Sequence, residues 1–207
     1  MTDTTPALGG APTLVGRIVR LEPLTEAHRE ALRPVAQDER IWTTSLTHAL
    51  GPSFDTWFDD ALAERASGRR LPFAVRLAEG RLVGSSSFLD VTPAHRRVEI
   101  GATWYHPDVW GTAVNPECKL LLLGHAFDVM QVNRVALVTD ALNLRSQAAI
   151  AKLGAVRDGV LRSDRITQGG RVRDSVVFSI LAPEWPPVRA RLEQRLIAFE
   201  RHGSGLA

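Results

Sequence analysis

The chain has 207 residues, with 25 Lys and Arg against 23 Asp and Glu, so its formal net charge is only +2. This balance argues against a nucleic-acid-binding protein, because no stretch of the chain concentrates basic residues. Apolar residues make up 44% and charged residues 23%, which is typical of a folded globular protein rather than a disordered one. The length predicts one domain or a tight pair, with a core that needs no disulfide or metal.

Simple counts also limit the compartment and the cofactors. The single cysteine, Cys118, excludes an intramolecular disulfide and a thiolate metal site. The first residues lack the order of a secretory signal, and the run Leu120–Leu123 is too short to cross a bilayer. We therefore expect a cytoplasmic protein without a membrane partner, in which residues 1–13 form a flexible tail and residues 14–207 one domain. No metal is expected, because none of the histidines forms an H-x-x-x-H pair: His28, His48, His95, His106, His125 and His202.

The first half of the chain combines short strands with two helices. Strands are predicted at Arg17–Leu21, Pro72–Leu77, Arg81–Leu89 and Arg97–Trp104, and helices at Glu26–Val35 and Ser53–Ala66. Ser53 is a candidate N-cap, and Gly68 lies where that helix would stop. The three residues between the second and third strands are typical of a hairpin. Gly101, inside the fourth strand, indicates a bulge or a close approach to the backbone.

The second half predicts crossovers between strands. Helices are expected at Pro116–Met130 and Leu144–Leu153, strands at Arg134–Thr139, Ala155–Leu161 and Arg171–Leu181, and a last amphipathic helix from Glu184. The last two strands flank the turn Gln168-Gly169-Gly170. This order of elements predicts a mixed α/β sheet.

Two strand-to-helix junctions carry candidate chemistry. The segment Trp110 to Glu117 places small residues before a helix start, with Asn115 as a possible cap and Pro116 at the first helical position. Converging amides and the helix dipole favour an anion there, especially a pyrophosphate. The second junction has Asn143 as a predicted N-cap with Ser146 in the first turn; an amide can hold peptide-like groups and a hydroxyl can donate a proton. Each junction is equally compatible with an ordinary capped helix.

The two junctions together resemble the GNAT superfamily of acyl-CoA N-acyltransferases, in particular its RimJ/RimL-like branch. Asn143 to Ser146, followed by Ala148-Ala149 and Lys152-Leu153-Gly154-Ala155, matches that branch closely, as does the closing strand from Arg173. The resemblance covers most of Val15 to Trp185. Gly111 matches the family's phosphate loop, whereas Trp110, Ala113 and Asn115 depart from its usual residue types. Alanine at position 113 fits only if its φ is negative.

The resemblance implies a GNAT-type mixed, splayed sheet of six to seven strands flanked by helices. It also implies acetyl-CoA as acyl donor, without a metal, and a primary amine as acceptor, either a small molecule or a peptide N-terminus. Separately, the apolar stripe of the last helix, from Glu184, could serve as a homodimer contact or simply cover the core. The predicted cofactor-binding residues are Trp104, Tyr105, Val109, Trp110, Gly111, Thr112, Ala113, Val114, Asn115, Asn143 and Ser146. A non-catalytic acyl-CoA sensor or interaction protein on the same fold is the alternative.

In the family the amine attacks the thioester directly, so the protein must move protons. Ser146 matches the family's thiol-protonating serine. Glu99 is the first candidate for the base, with a surface strand carboxylate paired to Arg97 or a neighbour as the equal alternative, and Asp164 is the second candidate. Backbone amides near Gly101 could polarise the thioester carbonyl.

Several other residues carry a functional and a packing interpretation. Trp42 is the candidate for acceptor binding, together with Glu99, but the aromatic residues of the early helices equally fit a packing role. Tyr105 could donate a proton or simply pack, and Cys118 fits a small packed residue better than a nucleophile. Arg145 and Lys119 flank the two junctions and could reach phosphates or lie in solvent.

Overall fold

The computed structural model describes residues 12–201, and its centre is one eight-stranded mixed sheet. The sheet has the order β1-β2-β3-β4-β5-β6-β8-β7, with β5 and β6 parallel and all other neighbours antiparallel. The strands are β1 Leu14–Val15, β2 Val19–Pro23, β3 Arg70–Leu77, β4 Leu82–Thr92, β5 Arg97–Tyr105, β6 Arg134–Asp140, β7 Val156–Ile166 and β8 Val172–Leu181. The prediction of a mixed α/β sheet is confirmed. The sheet has one strand more than the six to seven expected, and the additional strand is the two-residue β1, which pairs with β2.

The helices flank both faces of this sheet. They are α1 Arg29–Leu32, α2 Ser53–Ala66, α3 Val114–Gly124, α4 Leu144–Ala151 and α5 Trp185–Arg201. The single helix predicted over Glu26–Val35 is wrong, because 3-10 turns at Glu26–His28 and Pro34–Ala36 bracket a one-turn α1. Pro34 has no N–H to donate, so the α-helical hydrogen bonding ends there, although Arg33 before it keeps a helical conformation.

Two predicted helix caps are not formed. Ser53 is the first residue of α2 and makes no capping hydrogen bond, since Pro52 occupies the N-cap position. Asn115 lies inside the first turn of α3, whose N-cap is Ala113, so its side chain caps nothing. The helix expected to run to Met130 is α-helical only as far as Gly124. A π-helical turn, His125–Val129, follows it directly.

The sheet splays open between β5 and β6. The two parallel strands pair only over Arg97–Glu99 and Arg134–Ala136. Beyond that point β5 continues to Tyr105 and β6 to Asp140 without pairing to each other, which leaves one edge of each strand facing a gap. A bulge lies in β5 at Ala102, whose φ is +46°, so the prediction drawn from Gly101 is confirmed.

Each face of the sheet has its own hydrophobic core. The larger core joins α3, α4 and α5 to the sheet and includes Val98, Ile100, Val176 and Phe178. The smaller core holds the early helices on the opposite face. Its largest members are Phe54, Phe58, Trp42, Trp57 and Trp104.

Glu117 ties α3 to the beginning of the sheet. Its buried carboxylate accepts hydrogen bonds from the backbone N–H groups of Arg17, Ile18 and Val19 at 2.9, 2.7 and 2.7 Å. Bonds from three amides satisfy a carboxylate that would otherwise be costly to bury. This contact fixes the N-terminal end of α3, and with it the loop that precedes the helix.

The predicted tail over residues 1–13 lies almost entirely outside the described residues, as does His202, so the domain boundary at residue 14 stays a prediction. Within residues 12–201, no helix combines the length and apolar character needed to cross a membrane.

Candidate active site

The loop between β5 and α3 is held in place mainly by its side chains. Gly111, with a φ of +78°, turns the chain toward the helix in a conformation that favours glycine. The indole N–H of Trp110 donates to the Tyr105 carbonyl at 2.9 Å, and the Thr112 hydroxyl donates to the Val109 carbonyl at 2.7 Å. The loop is therefore fixed while most of its own amides stay available.

Three amides of this loop have no protein acceptor. Among residues 12–201, the N–H groups of Gly111, Ala113 and Asn115 make no hydrogen bond, and that of Val114 reaches only Thr112 Oγ1 at 3.3 Å. These donors surround the positive end of the α3 dipole. Such an arrangement suits an anion, and a diphosphate in particular.

Two departures from the family's loop are accommodated by the backbone. Ala113 has φ −70° and ψ −11°, an ordinary right-handed conformation, so alanine is not strained there. The condition set for position 113 is therefore met. Asn115 offers its free amide rather than a capping side chain.

The second junction is built as predicted. Asn143 is the N-cap of α4, and its Oδ1 accepts a hydrogen bond from the Ser146 N–H at 2.9 Å. The hydroxyl of half-buried Ser146 has no hydrogen-bond partner within the described part of the chain. Its proton is thus available to a ligand at the start of α4.

A cation–π contact brings the two junctions together. The guanidinium carbon of Arg145 lies 3.6 Å from the centroid of the Trp110 ring. Arg145 is exposed, but it stacks on Trp110, which gives Trp110 a contact with the second junction. The starts of α3 and α4 form a single site at the open end of the splay.

Glu99 lies on the sheet face opposite α3 and reaches toward the gap. Its neighbours Val98 and Ile100 point into the larger core, and a Cβ at Gly101 would lie 2.6 Å from Glu99 Oε1, so the carboxylate covers the glycine. Burial, helped by the charge of Asp90, raises the pKa of Glu99 from its usual 4.5 to about 7. A carboxylate with this pKa can accept a proton near neutral pH. The alternative of an exposed carboxylate paired with Arg97 is not what the structure has.

The second candidate base lies close to the first. Asp164 is near enough to raise the pKa of Glu99, while Arg165 and Arg173 oppose that rise. Asp164 itself is an exposed residue of β7, with its Oδ2 3.6 Å from Arg165 Nε. Of the two, the half-buried Glu99, whose pKa is raised, is better suited to accept a proton near neutral pH.

The aromatic candidates are packed in the cores. Trp42 and Trp104 have ring centroids 5.3 Å apart, and Trp42 Nε1 donates to the Ala36 carbonyl at 2.8 Å. This favours the packing interpretation of Trp42 over acceptor binding. Tyr105 is also buried, which raises the pKa of its hydroxyl well above the usual value.

Cys118 is buried beside Tyr105 in the larger core. Burial raises the pKa of its thiol to about 12, so a nucleophilic thiolate is not available near neutral pH. Within residues 12–201, there is also no cluster of three or more His, Cys, Asp or Glu residues that could hold a metal.

Sequence reasoning did not predict that three polar residues are buried. Lys119 lies on the inner side of α3, where its Nζ donates to Thr103 Oγ1 at 3.2 Å and burial lowers the pKa of its ammonium to about 8. Arg173 and Ser175 are buried on β8, on the same face of the sheet as Glu99. The pattern Arg-Asp-Ser-Val-Val could have indicated the burial of Arg173 and Ser175, because it places these two polar residues at alternate positions of an otherwise apolar strand.

Comparison with known proteins places this geometry in a family. The family model for the acetyltransferase (GNAT) domain matches residues 19–156. The relative named "Putative ribosomal N-acetyltransferase YdaF", from Bacillus subtilis (strain 168), is 29% identical over 109 residues, which is 53% of this chain and 58% of the relative. The chain thus spans less than two thirds of that curated relative's length.

Solved structures share the whole fold. A "putative acetyltransferase" from T. thermophilus is 38% identical, with a TM-score of 0.81, covering 90% of this chain and 98% of that one. RimJ from Mycobacterium smegmatis, solved in complex with CoA-disulfide, has a TM-score of 0.72 at 24% identity, covering 88% and 91%. With the splayed sheet, the open amides before α3 and the matching family model, the chain belongs to the GNAT acetyltransferase family.

Proposed function

We propose that the protein transfers the acetyl group of acetyl-CoA to a primary amine by direct attack in a ternary complex. The observation that carries this proposal is the set of unpartnered amides at Gly111, Ala113 and Asn115, next to the gap between β5 and β6. These donors suit the pyrophosphate of the coenzyme, and the gap suits its extended pantetheine arm. The CoA ligand of M. smegmatis RimJ, which has the same fold, supports this choice of donor.

The protein would hold the donor from both sides of the gap. The loop from Val109 to Asn115 would bind the pyrophosphate, and Asn143 would contact the pantetheine end. The unpaired edge of β5 near Gly101 would present backbone amides to the thioester carbonyl. Polarising this oxygen stabilises the negative charge that develops when the amine attacks.

Two side chains would move the protons. Glu99, with its pKa raised to about 7, would accept the proton that the amine loses as its nitrogen bonds to the carbonyl carbon. As the carbon–sulfur bond breaks, the free hydroxyl of Ser146 would donate a proton to the departing thiolate. Ser146 would then regain a proton from solvent as Glu99 releases one, which restores both side chains and leaves the N-acetyl amine and CoA as products.

The acceptor is a primary amine, either a small molecule or a peptide N-terminus. The name of YdaF, which refers to the ribosome, supports a peptide acceptor for a relative of this chain. An α-amino group with a pKa near 8 needs less help in losing its proton than a lysine side chain near 10.4. A base with a pKa of about 7 is suited to that task.

A direct test separates this enzyme from a binding-only protein. Calorimetry with CoA measures binding, and thiol release from acetyl-CoA with a panel of peptide and small amines measures turnover. We expect both. Tight CoA binding without thiol release on any amine would favour the acyl-CoA sensor, the alternative suggested by the departures of Ala113 and Asn115 from the family's loop. Absence of CoA binding would refute both the enzyme and the sensor.

A homodimer and a cytoplasmic location remain proposals of their own. Val188 and Leu192 of the α5 stripe are buried in the larger core, so this part of the stripe covers the core rather than a partner. Light scattering coupled to gel filtration gives the mass in solution, and cell fractionation gives the compartment.

A further inference from the structure

Arg173 is a buried cation that makes no hydrogen bond to the described residues. Only 7% of the residue is exposed, its Nε is buried with no partner, and its guanidinium forms no hydrogen bond with any described residue. Its single ionic contact within residues 12–201 is to Asp140 Oδ2, at 3.9 Å from Nε. A charged group this buried normally has strong hydrogen-bond partners, so these donors are available to a ligand.

Two of the nearby carboxylates, those of Asp140 and Asp164, have other partners. Asp140 accepts hydrogen bonds from the Leu142 N–H at 2.8 Å and from Arg171, which takes the oxygen nearest Arg173. Asp164 contacts Arg165, with 3.6 Å between Oδ2 and Nε. The charge of Arg173 lowers the pKa of Glu99, but the two side chains form no ion pair. None of these three carboxylates therefore accepts a hydrogen bond from Arg173.

Arg173 lies on the same face of the sheet as Glu99. On β8, Val176 and Phe178 pack in the larger core, so the alternate residues Arg173 and Ser175 project from the other face, as Glu99 does from β5. The hydroxyl of Ser175, fully buried, also has no partner among the described residues. Two polar groups without a hydrogen-bond partner among the described residues therefore lie on the same face of the sheet as the candidate base, and the charge of Arg173 acts on Glu99.

The hairpin that carries Arg173 is also tied across this face. At its tip, the Gln168 N–H donates to the Leu46 carbonyl at 2.9 Å, and Gln168 Oε1 accepts from the His48 N–H at 2.8 Å. These bonds fix the hairpin against the loop that follows the early helices. The guanidinium thus belongs to a hairpin with a fixed tip, and it projects from the face of the sheet opposite α3.

We propose that Arg173 binds a carboxylate of the acceptor, so that the acceptor is an amine that also carries a carboxylate. This rests on the proposed acetyl transfer and names its substrate class. A carboxylate can take two parallel hydrogen bonds from a guanidinium, which would satisfy the unpaired donors and orient the amine toward Glu99. The carboxylate belongs either to a small amino acid or to an acidic first residue of a peptide.

Paired acceptors test the proposal and distinguish the two sources. ω-Amino acids with two to six carbons are compared with their methylamides, and tripeptide amides beginning with Asp or Glu with those beginning with Asn or Gln. In the wild type we expect kcat/KM for the better carboxylate source to exceed that of its neutral partner about 10- to 100-fold. Equal values within every pair, or a preference for polyamines, would overturn the proposal.

Variants show whether the preference belongs to this side chain. Arg173→Gln should remove the preference, with kcat/KM falling far more for the carboxylate acceptors than for their neutral partners, and Arg173→Lys should keep part of it, since lysine keeps the charge without the planar fork. Arg157→Gln, at the exposed far end of β7, is the matched control and should retain the preference. Equal loss on charged and neutral acceptors, with a lower Tm, would make Arg173 structural and contradict the proposal.

Binding of product gives a readout that needs no turnover. The N-acetyl derivative of the best carboxylate acceptor should raise the Tm of the wild type but not of Arg173→Gln, and its methylamide should raise neither. CoA affinity should be the same in both proteins. Failure of the proposed function is distinct: the wild type would then release no thiol with any amine, whereas turnover without a carboxylate preference defeats this inference alone.

Discussion

Replacing Glu99 with glutamine tests the candidate base through both stability and activity. Glutamine has nearly the same shape and should cover Gly101 as the carboxylate does. It cannot ionise, so it removes the cost of keeping a charge where burial and Asp90 oppose it. The same change removes the proton acceptor.

The size of the stability effect follows from the pKa. Each tenfold change in proton affinity corresponds to about 1.4 kcal/mol. Raising the pKa of Glu99 from 4.5 to about 7 therefore costs the folded wild type about 3 kcal/mol once the group is ionised. Because the folded pKa is the higher one, the cost is absent below pH 4.5, grows between 4.5 and 7, and is complete above 7.

Urea unfolding across this range measures the effect. We expect Glu99→Gln to raise the free energy of unfolding by up to about 3 kcal/mol at pH 8, with little difference from the wild type at pH 4.5. The exposed Glu193→Gln is the control and should change neither value. In activity assays, kcat/KM should fall about 10²- to 10⁴-fold, and the acidic limb near pH 7 should disappear.

Two results would refute this reasoning. A glutamine variant that is less stable than the wild type at every pH would mean that the Glu99 carboxylate makes a favourable interaction in its ionised form. An acidic limb near pH 7 that persists in the variant would assign the proton acceptor to another group, with Asp164 as the next to test.

Three further changes follow from other contacts. Ser146→Ala should slow turnover while leaving calorimetric CoA binding nearly intact; equal loss of both would make the hydroxyl structural. Glu117→Gln should lower the free energy of unfolding in urea by about 2–3 kcal/mol, because three backbone amides lose a charged acceptor; an unchanged value would contradict this. Lys119→Met should raise the free energy of unfolding at pH 7 by up to about 3 kcal/mol. Burial lowers the pKa of the Lys119 ammonium from 10.5 to about 8, so the cost of burying its charge is complete below pH 8. That gain should vanish near pH 10.5, and a loss at pH 7 would show that the hydrogen bond to Thr103 outweighs burial.

The pattern of apolar residues was enough to place most strands and helices, because each element must bury one face. Caps were less predictable. Asn143 caps α4 as expected. Asn115 does not cap α3, because that helix begins at Val114, two residues before the predicted first residue Pro116. Both residues have the right chemistry, and only the path of the preceding loop decides which becomes a cap.

The sequence alone determined the class of fold, the two strand-to-helix junctions and the candidate proton carriers, because these depend on residue type and local spacing. The tertiary structure decided which groups lie in contact across the chain. It stacks Arg145 on Trp110, raises the pKa of Glu99 by burying it, and leaves Arg173 buried without a hydrogen bond to any described residue. Solvation and charge pairing depend on residues far apart in sequence, and they exist only when β5, β6 and the last hairpin come together.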